Sequence, residues 1–148
     1  MESQKQGGFL IAKIHQLSQR IFAHILKNAN LTDLNPAQGR IMFVLWREDN
    51  ISIRELSKRT LLSKSTLTSM LDRLEKTGFI QRIPSQKDRR KILIKLTNKY
   101  KAFQDKYIDV SRDMTKIYYN NFNEQEINEF ESYLERILNN LMGYKKKK

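Results

Sequence analysis

The sequence predicts a mainly α-helical fold of the α+β class, in which helices at both ends of the chain flank a helix–turn–helix and a β-hairpin. Three patterns predict it. Apolar residues recur every three or four positions in long stretches at both ends, two short helical patterns meet at a tight turn in the centre, and apolar residues then alternate along a strand. At 148 residues the chain has the length of one domain, with or without an oligomerisation extension.

The N-terminal helix is predicted from Phe9, after a polar segment that ends in two glycines and is expected to fray. Its apolar positions advance by steps of three and four residues, which is a helical spacing. They are Leu10, Ile14, Leu17, Ile21 and Ile25. Residues 28–35 interrupt the pattern. Residues 1–34 are therefore predicted to form an N-terminal dimerisation helix.

A second helix is predicted from Asn35, whose side chain can cap it. Pro36 follows in the first turn, where its missing N–H needs no partner. The predicted buried face consists of Ile41, Val44, Leu45 and Trp46. The helix is expected to stop near residues 49–50, and residues 51–53 have room only for a short strand.

A helix–turn–helix follows. Ser52 and Glu55 have the spacing of a capping box, which predicts a first helix that runs through Arg59. After a turn of three residues, Ser63 caps a second helix and Gly78 ends it. The predicted inward face of this second helix consists of Leu67, Met70, Leu71 and Leu74.

A β-hairpin is predicted directly after this helix pair. Residues 79–83 and 91–96 have strand character, and Ile92, Ile94 and Leu96 alternate strictly with other residues. The polar residues 84–90 form the tip that joins the two strands. Residues 35–97 are thus predicted to form one module.

Two long helices complete the chain, in residues 98–148. The first has apolar residues at heptad-like spacing, namely Tyr100, Phe103, Tyr107, Val110, Met114 and Ile117. After a break at residues 120–121, the second continues with Ile127, Phe130, Leu134, Ile137 and Leu141. One small module cannot cover this much apolar surface, so these helices and the N-terminal helix predict an obligate dimer. A bundle within one chain is the alternative.

The charge of the chain is basic and unevenly distributed. The formal net charge is +12 and the isoelectric point is near 10.0. Residues 51–100 hold 13 Lys or Arg against 4 Asp or Glu, a net of +9, whereas the residues before and after them contribute +2 and +1. Such a charge attracts polyanions, chiefly nucleic acid or an anionic membrane. Its position in the helix–turn–helix and hairpin favours nucleic acid.

The residue types present exclude several kinds of site. The chain has no cysteine, which excludes disulfides, thiol redox sensing and Cys-ligated metal centres. Its two histidines, His15 and His24, are expected to be ordinary helix residues rather than metal ligands. Neither a Gly-rich phosphate loop nor a nucleophile–base pair is evident, so no enzymatic activity and no cofactor are expected. A bilayer-spanning stretch and a signal-peptide core are also not evident, which predicts a cytoplasmic protein without membrane contact.

The second helix of the pair carries hydroxyl and basic groups opposite its apolar face. The helical step puts Ser65, Ser69, Asp72 and Lys76 there, flanked by Lys64, Thr68 and Arg73. Short hydroxyl side chains let a helix approach bases and phosphates closely, and the cations Lys64, Arg73 and Lys76 neutralise phosphate. This layout is typical of a recognition helix in the major groove. A solvent-exposed amphipathic helix is the alternative.

The tip of the hairpin is also basic, with Lys87, Arg89 and Arg90 around a single acid, Asp88. A narrow minor groove has a strongly negative potential and attracts an inserted arginine. Asp88 is expected to hold a neighbouring arginine side chain in position. A charged hairpin that only increases solubility is the alternative.

The run LSKRTLLSKSTLTSMLDRLEKTGFIQR, followed by DRRKILIKLT, resembles the winged helix–turn–helix of the MarR family of bacterial and archaeal transcriptional regulators. The wing pattern of that family is matched by Asp88-Arg89-Arg90 and by the aliphatic strand that ends in Leu96-Thr97. The flanking helices match in order and length. Together these motifs are specific, whereas either one alone is weak.

The resemblance implies a winged helix–turn–helix DNA-binding domain with a helical dimerisation domain made from the N- and C-terminal helices. It implies a homodimer on a pseudo-palindromic operator in double-stranded DNA, often as a repressor of its own or an adjacent gene. The recognition helix would read DNA with Ser63, Lys64, Ser65, Thr66, Thr68, Ser69 and Arg73. Arg89, with Arg90 as a second candidate, would enter the minor groove, and Asp88 would orient it.

Family members differ in what releases them from DNA. Many respond to a small aromatic ligand between the dimer helices and the wing module; others sense oxidants through cysteine or bind zinc, for which this chain lacks the residues. Aromatic residues that could line a ligand pocket are Phe22, Trp46, Tyr107, Tyr118 and Tyr119. The favoured interpretation is that these aromatic residues fill the core and the dimer interface. The resemblance therefore leaves two possibilities for this chain: a regulator that responds to a small ligand, or a regulator that has no ligand.

A nonspecific nucleic-acid-binding or chromosome-architecture protein is the alternative function. The net charge and the terminal lysines Lys145–Lys148 favour it. That tail is expected to be a solvated terminus, with an auxiliary phosphate contact as its alternative role.

Overall fold

The structure, a computed structural model, describes residues 3–145 and divides the chain into two compact units, Met1–Ser111 and Arg112–Lys148. Its elements are α1 (Gly7–Asn28), a 3₁₀ turn (Pro36–Gln38), α2 (Gly39–Arg47), β1 (Ile51–Ser52), α3 (Ile53–Thr60), α4 (Lys64–Lys76), β2 (Ile80–Pro84), β3 (Ile92–Leu96), α5 (Asn98–Tyr118) and α6 (Glu124–Met142). The predicted mainly helical α+β class is confirmed. Among the described residues, no helix combines the length and the hydropathy needed to cross a membrane. Of the lysine tail, residues 146–148 lie outside the described residues.

The start of α1 differs from the prediction. Gly7 and Gly8, which were expected to fray, form its first turn, and Gln6 at the N-cap makes no side-chain capping bond. The helix ends at Asn28 as predicted. Of its side chains, Leu26 is buried, whereas most of its predicted apolar seam stays exposed. The N-terminal part of this seam, Leu10, Ile14 and Leu17, is therefore uncovered in the single chain, whereas Ile21 and Ile25 are half-buried.

The predicted caps start the helices of the central module. The Asn35 side chain accepts from the Gln38 N–H at 3.0 Å and Gln38 Oε1 accepts from the Asn35 N–H at 3.0 Å, although the turn that follows is 3₁₀ rather than α. Ser52 Oγ accepts from the Glu55 N–H at 3.1 Å. The second half of that predicted capping box is missing, because the Glu55 carboxylate binds Arg59 Nε at 2.9 Å instead.

The two ends of α4 are fixed by local backbone geometry. Leu61, with a φ of 56°, makes the turn after α3, and Ser63 Oγ then accepts from the Thr66 N–H at 3.3 Å to cap α4. At the other end Gly78 has a φ of 84°, a region that favours glycine. The N–H groups of Gly78 and Phe79 donate to carbonyls of the last turn at 3.0 and 2.9 Å. Gly78 thus ends α4 as predicted and turns the chain into β2.

The strands form a three-stranded antiparallel sheet in the order β1-β3-β2. β2 and β3 pair from Ile80 opposite Leu96 to Pro84 opposite Ile92. β2 starts and ends one residue later than predicted, and β3 starts one residue later. Ile94 and Leu96 are buried, but Ile92 is exposed because it lies at the far end of the hairpin. The predicted alternation is therefore correct, while its buried face is shorter than predicted.

The core is one cluster of buried residues from α1 to α4, the sheet and the first half of α5. Its fully buried members from α4 onward are Leu67, Leu71, Leu74, Phe79, Ile80, Ile94 and Tyr100. Met70 is only partly buried. On α2, Ile41, Val44 and Leu45 are buried as predicted, but Met42 joins them while Trp46 is half-buried. This core holds α4 with its polar side outward.

In the second unit, α6 starts with a capping box between Asn123 and Glu126. Tyr119 donates to the Glu131 carboxylate at 2.6 Å, and its ring packs edge-on against Phe122 and Phe130 with centroids 5.9 and 6.2 Å away. No described residue of α6 is fully buried. Of its predicted apolar seam, Ile127, Phe130 and Leu134 are half-buried, whereas Ile137 and Leu141 are exposed in the single chain.

Tyr100→Phe should stabilise the protein. The buried Tyr100 hydroxyl has no hydrogen-bond partner among the described residues, and such a group costs roughly 1 kcal/mol or more. Burial also raises the pKa of Tyr100 to about 12, so the native state keeps a proton that the unfolded chain loses from about pH 10 upward. Stability that depends on this phenol is thus present below pH 10 and lost as the pH rises towards 12. Urea unfolding should show a gain of about 1 kcal/mol at pH 7 and a larger gain at pH 11.

The exposed Tyr133 provides the control for this measurement. Tyr133→Phe should leave the free energy of unfolding unchanged at both pH values. A loss of stability in Tyr100→Phe would mean that the hydroxyl is satisfied in solution.

Candidate nucleic-acid interface

The predicted DNA-reading residues of α4 and its cap all lie on the exposed side of the helix. They are Ser63, Lys64, Ser65, Thr66, Thr68, Ser69, Arg73 and Lys76. Some of their hydroxyls serve the helix itself: Ser63 caps it and donates to Thr66 Oγ1 at 2.9 Å, and Thr68 donates to the Lys64 carbonyl at 2.8 Å. Ser69 has no hydrogen-bond partner within residues 3–145, so its hydroxyl is open to an external group.

The exposed side of α4 is divided into two rows. Ser65, Thr66, Ser69 and Arg73 line one wall of an open groove of about 480 Å³, whose other wall contains Asn35, Ala37 and Gln38. Asp72 and Glu75 pair with Arg82 of β2, which also donates to the backbone carbonyl of Thr68. The row with Ser65, Ser69 and Arg73 therefore presents polar groups that are not bound to the wing, although Ser65 Oγ lies 3.5 Å from Ser63 Oγ.

The cations on this side are available for an anionic partner. Lys64, Arg73 and Lys76 are exposed, and in the part of the chain that the structure describes none of them makes an ion pair. An unpaired surface cation can neutralise a phosphate without first breaking a bond within the protein. The electrostatics of α4 therefore suit a polyanion.

The hairpin tip is a tight polar turn. The Ser85 N–H donates to the Lys91 carbonyl at 2.9 Å, and the Lys91 N–H donates to the Asp88 carbonyl at 3.0 Å. The Asp88 N–H donates to Ser85 Oγ at 3.3 Å. These bonds hold Arg89 at the apex, where it is exposed and unpaired within the described residues.

Asp88 holds a neighbouring arginine side chain, as predicted, but this arginine is Arg90 and not the Arg89 that the family resemblance implied. Its Oδ1 accepts from the backbone N–H of Arg90 at 3.0 Å and from Arg90 Nε at 3.3 Å. The carboxylate that was expected to orient Arg89 thus holds Arg90, whose side chain is still 91% exposed. The reason is turn geometry, because an Asp side chain in a turn bonds the backbone N–H two residues later. The Arg89 side chain therefore makes no ion pair with a described residue.

Two groups of charged residues near the wing were not predicted from the sequence. Arg82 of β2 lies 2.7 Å from Asp72, so this exposed acid is paired with the wing. Arg54 and Lys91 join Arg90 and Asp88 around a second groove of about 500 Å³ between the start of α3 and the tip. The spacing of Asp72 and Glu75, three residues apart on α4, could have indicated the pairing with Arg82. The groove beside α3 could not be predicted, because it depends on which loop lies next to that helix.

Four of the five aromatic residues considered for a ligand pocket, all except the half-buried Trp46, pack against other aromatic residues. Tyr107 is buried, with Phe22 edge-on at 6.1 Å and Phe103 stacked at 6.3 Å between ring centroids. Tyr118 and Tyr119 pack edge-on at 5.0 Å. Tyr107, with Phe22 packed against it, thus fills the core, whereas Tyr118 is 39% exposed and Tyr119 is half-buried. Within residues 3–145 no cluster of His, Asp and Glu could hold a metal ion.

Comparison with known proteins places this module in a family. The model of the MarR family matches residues 34–92. The HTH-type transcriptional regulator TtmR of Methylorubrum extorquens is 35% identical over 74 residues, which are 50% of this chain and 38% of TtmR. The organic hydroperoxide resistance transcriptional regulator of Bacillus subtilis is 27% identical over 110 residues, 74% of this chain and 73% of the relative. The chain thus spans well under half of one of these relatives and nearly three quarters of the other.

A solved structure extends the similarity beyond the central module. A mutant MarR from E. coli, complexed with operator DNA, aligns with a TM-score of 0.76 and 28% identity over 88% of this chain and 92% of that chain. The relatives are transcriptional regulators, in accord with the expectation of a regulator rather than an enzyme. In sequence, residues 34–92 of this chain are thus a domain of the MarR family, and the fold of most of the chain is that of a MarR regulator.

Proposed function

We propose that the protein is a homodimeric regulator that binds a pseudo-palindromic operator in double-stranded DNA. Each subunit places α4 in one major groove and its hairpin, the wing, in the adjacent minor groove. The observation that carries the proposal is the exposed face of α4, where the free hydroxyl of Ser69 lies in one row with Ser65 and the unpaired Arg73. The similar MarR structure contains operator DNA, which supports the same mode here.

The wing supplies the second contact. Arg89 projects from a turn that internal bonds hold rigid, and its charge is not neutralised by a described residue. A guanidinium in that position matches the negative potential of a narrow minor groove. Arg90, held by Asp88, and the neighbouring Lys91 would lie beside the backbone phosphates.

A second copy of the chain is the proposed cover of the apolar seams. In the first unit, Leu10, Ile14 and Leu17 of α1 are exposed, and in the second unit so are Ile137, Leu138 and Leu141 of α6. A twofold dimer puts two recognition helices about one helical turn of DNA apart, ~10 bp between half-site centres. Residues 1–34 and 98–148 form the dimerisation part of this proposal and residues 35–97 the DNA-binding part.

Regulation is proposed to be repression of the protein's own gene or an adjacent one, in the cytoplasm. Release from DNA by a small aromatic ligand stays a prediction of the family resemblance. Such a ligand would bind one arrangement of the dimer more tightly than the other and would thereby change the separation of the two recognition helices. The chain has no cysteine, so a cysteine-based response to peroxide is not part of the proposal.

A footprint on the DNA upstream of the gene tests the proposal, with and without candidate aromatic ligands. The affinity for the protected site should exceed that for random duplex of equal length by ~10³ or more. A ratio near one would instead support the nonspecific architectural protein that the net charge of +12 suggests.

Ser69→Ala, and in the same way Ser65→Ala, should change which bases are preferred more than how strongly DNA is bound. Loss of one base-edge hydrogen bond removes about 1–3 kcal/mol of discrimination and leaves the phosphate contacts in place. Selection from a random duplex pool should therefore return a relaxed site, while affinity for random DNA stays the same. Thr77→Ala, at the end of α4 away from the groove, is the matched control. Identical selected sites for wild type and Ser69→Ala would remove this residue from recognition.

A further inference from the structure

Arg82, at the base of the wing, joins β2 to one row of residues on α4. Its Nη2 is 2.7 Å from Asp72 Oδ1 and 3.4 Å from the Thr68 carbonyl oxygen, and its Nη1 is 3.6 Å from Glu75 Oε1. Its backbone N–H also donates to Glu75 Oε2 at 3.2 Å. Both the side chain and the main chain of this strand residue are therefore tied to α4.

We propose that Arg82 is a positioning residue that fixes the wing relative to the recognition helix, so that both enter DNA together. The inference rests on the proposed function. A planar guanidinium can bond two carboxylates in a fixed geometry, which a lysine ammonium cannot do. The Arg82 side chain is only 25% exposed, so water screens its ion pairs less than those of a free surface pair. Its geometry sets the spacing between Ser69 in one groove and Arg89 in the next.

The two acids that bind Arg82 allow this positioning role to be distinguished from a simple effect of net charge. Asp72 and Glu75 are 60% and 43% exposed on a helix that otherwise carries cations, and both are bound to Arg82. If only net charge mattered, removing two acids from this face would strengthen binding to a polyanion. If they position the wing, removing them weakens binding to the operator even though the protein becomes more basic.

The experiment compares Asp72→Asn/Glu75→Gln with wild type on the operator and on random duplex. Operator affinity should fall about tenfold, whereas affinity for random duplex should be unchanged or higher. Asp105→Asn/Asp109→Asn removes the same charge from exposed positions of α5 and should not weaken operator binding. Arg82→Lys keeps the charge but not the two-carboxylate geometry, and it should bind the operator as weakly as the double variant.

Amide hydrogen exchange without DNA gives an independent measurement. In Asp72→Asn/Glu75→Gln and in Arg82→Lys, the amides of residues 80–96 should exchange faster than in wild type, while those of α3 and the first half of α4 keep their protection. Wild-type operator affinity in the double variant, or unchanged exchange in the wing, would overturn the assignment. Failure of the proposed function itself is separate: wild-type protein would then bind operator and random duplex alike.

Discussion

Leu17→Glu should dissociate the dimer and weaken operator binding at least about a hundredfold, because two linked half-site contacts become independent ones. Leu17 is 56% exposed on the uncovered seam of α1, so a charge there costs little in the single chain. In the proposed dimer the same carboxylate would be buried without a partner, which is strongly unfavourable. Sedimentation velocity should give a monomer, and the thermal unfolding of that monomer should remain cooperative.

Two further variants make this result specific. Leu141→Glu introduces the same change at a 68% exposed position of the seam on α6 and should act in the same way. Phe43→Glu alters an apolar residue on α2 that is 51% exposed and lies outside both seams; it should remain dimeric. A dimer of wild-type affinity in both seam variants would contradict the proposed dimerisation helices.

Arg89→Ala should weaken operator binding by about tenfold or more and lower the salt dependence of binding. Each subunit loses one cation that the proposal places in the minor groove, so the slope of log affinity against log salt should fall by about one per subunit. The measurement is a titration of labelled operator at several salt concentrations. Arg90→Ala should have a smaller effect, because Asp88 already holds that side chain.

The matched control for this series is Lys101→Ala, which removes an exposed cation from α5 instead of the wing. Its affinity and its salt slope should both equal those of wild type. If Arg89→Ala also equals wild type in both quantities, the wing is not part of the DNA contact.

The sequence predicted those parts of the fold that depend on local interactions. The caps at Asn35, Ser52 and Ser63 each bond a backbone N–H three residues later, so a spacing in the sequence corresponds directly to a bond in the structure. Gly78 was equally predictable, because a left-handed residue at the end of a helix favours glycine. The start of α1 was not, since two glycines gave no indication that they lie inside the helix.

The candidate site was predicted less completely than the fold, because some of its contacts join residues that are far apart in the sequence or depend on the conformation of a turn. The exposed face of α4 followed from helical periodicity alone. The contact between Asp72 and Arg82 joins residues from different elements, and its existence depends on how β2 leaves Gly78. The partner of Asp88 was decided by the conformation of a turn, in which Arg90 rather than Arg89 meets the carboxylate. Periodicity and composition contain neither kind of information.

The pairing order of the sheet also bears on the order in which the chain folds. β2 and β3 are neighbours along the chain, and α4 leads into β2 through a turn that closes its own backbone bonds at Gly78 and Phe79. β1 instead pairs with β3 across the whole helix pair, with Ile51 opposite Ile94. Closing a short loop costs less entropy than closing a long one, so α4 and its hairpin should form first. On a ribosome, the hairpin would then pair before α5 and α6 have emerged, and the core that holds α4 would be completed only when the first half of α5 follows, before any second subunit joins.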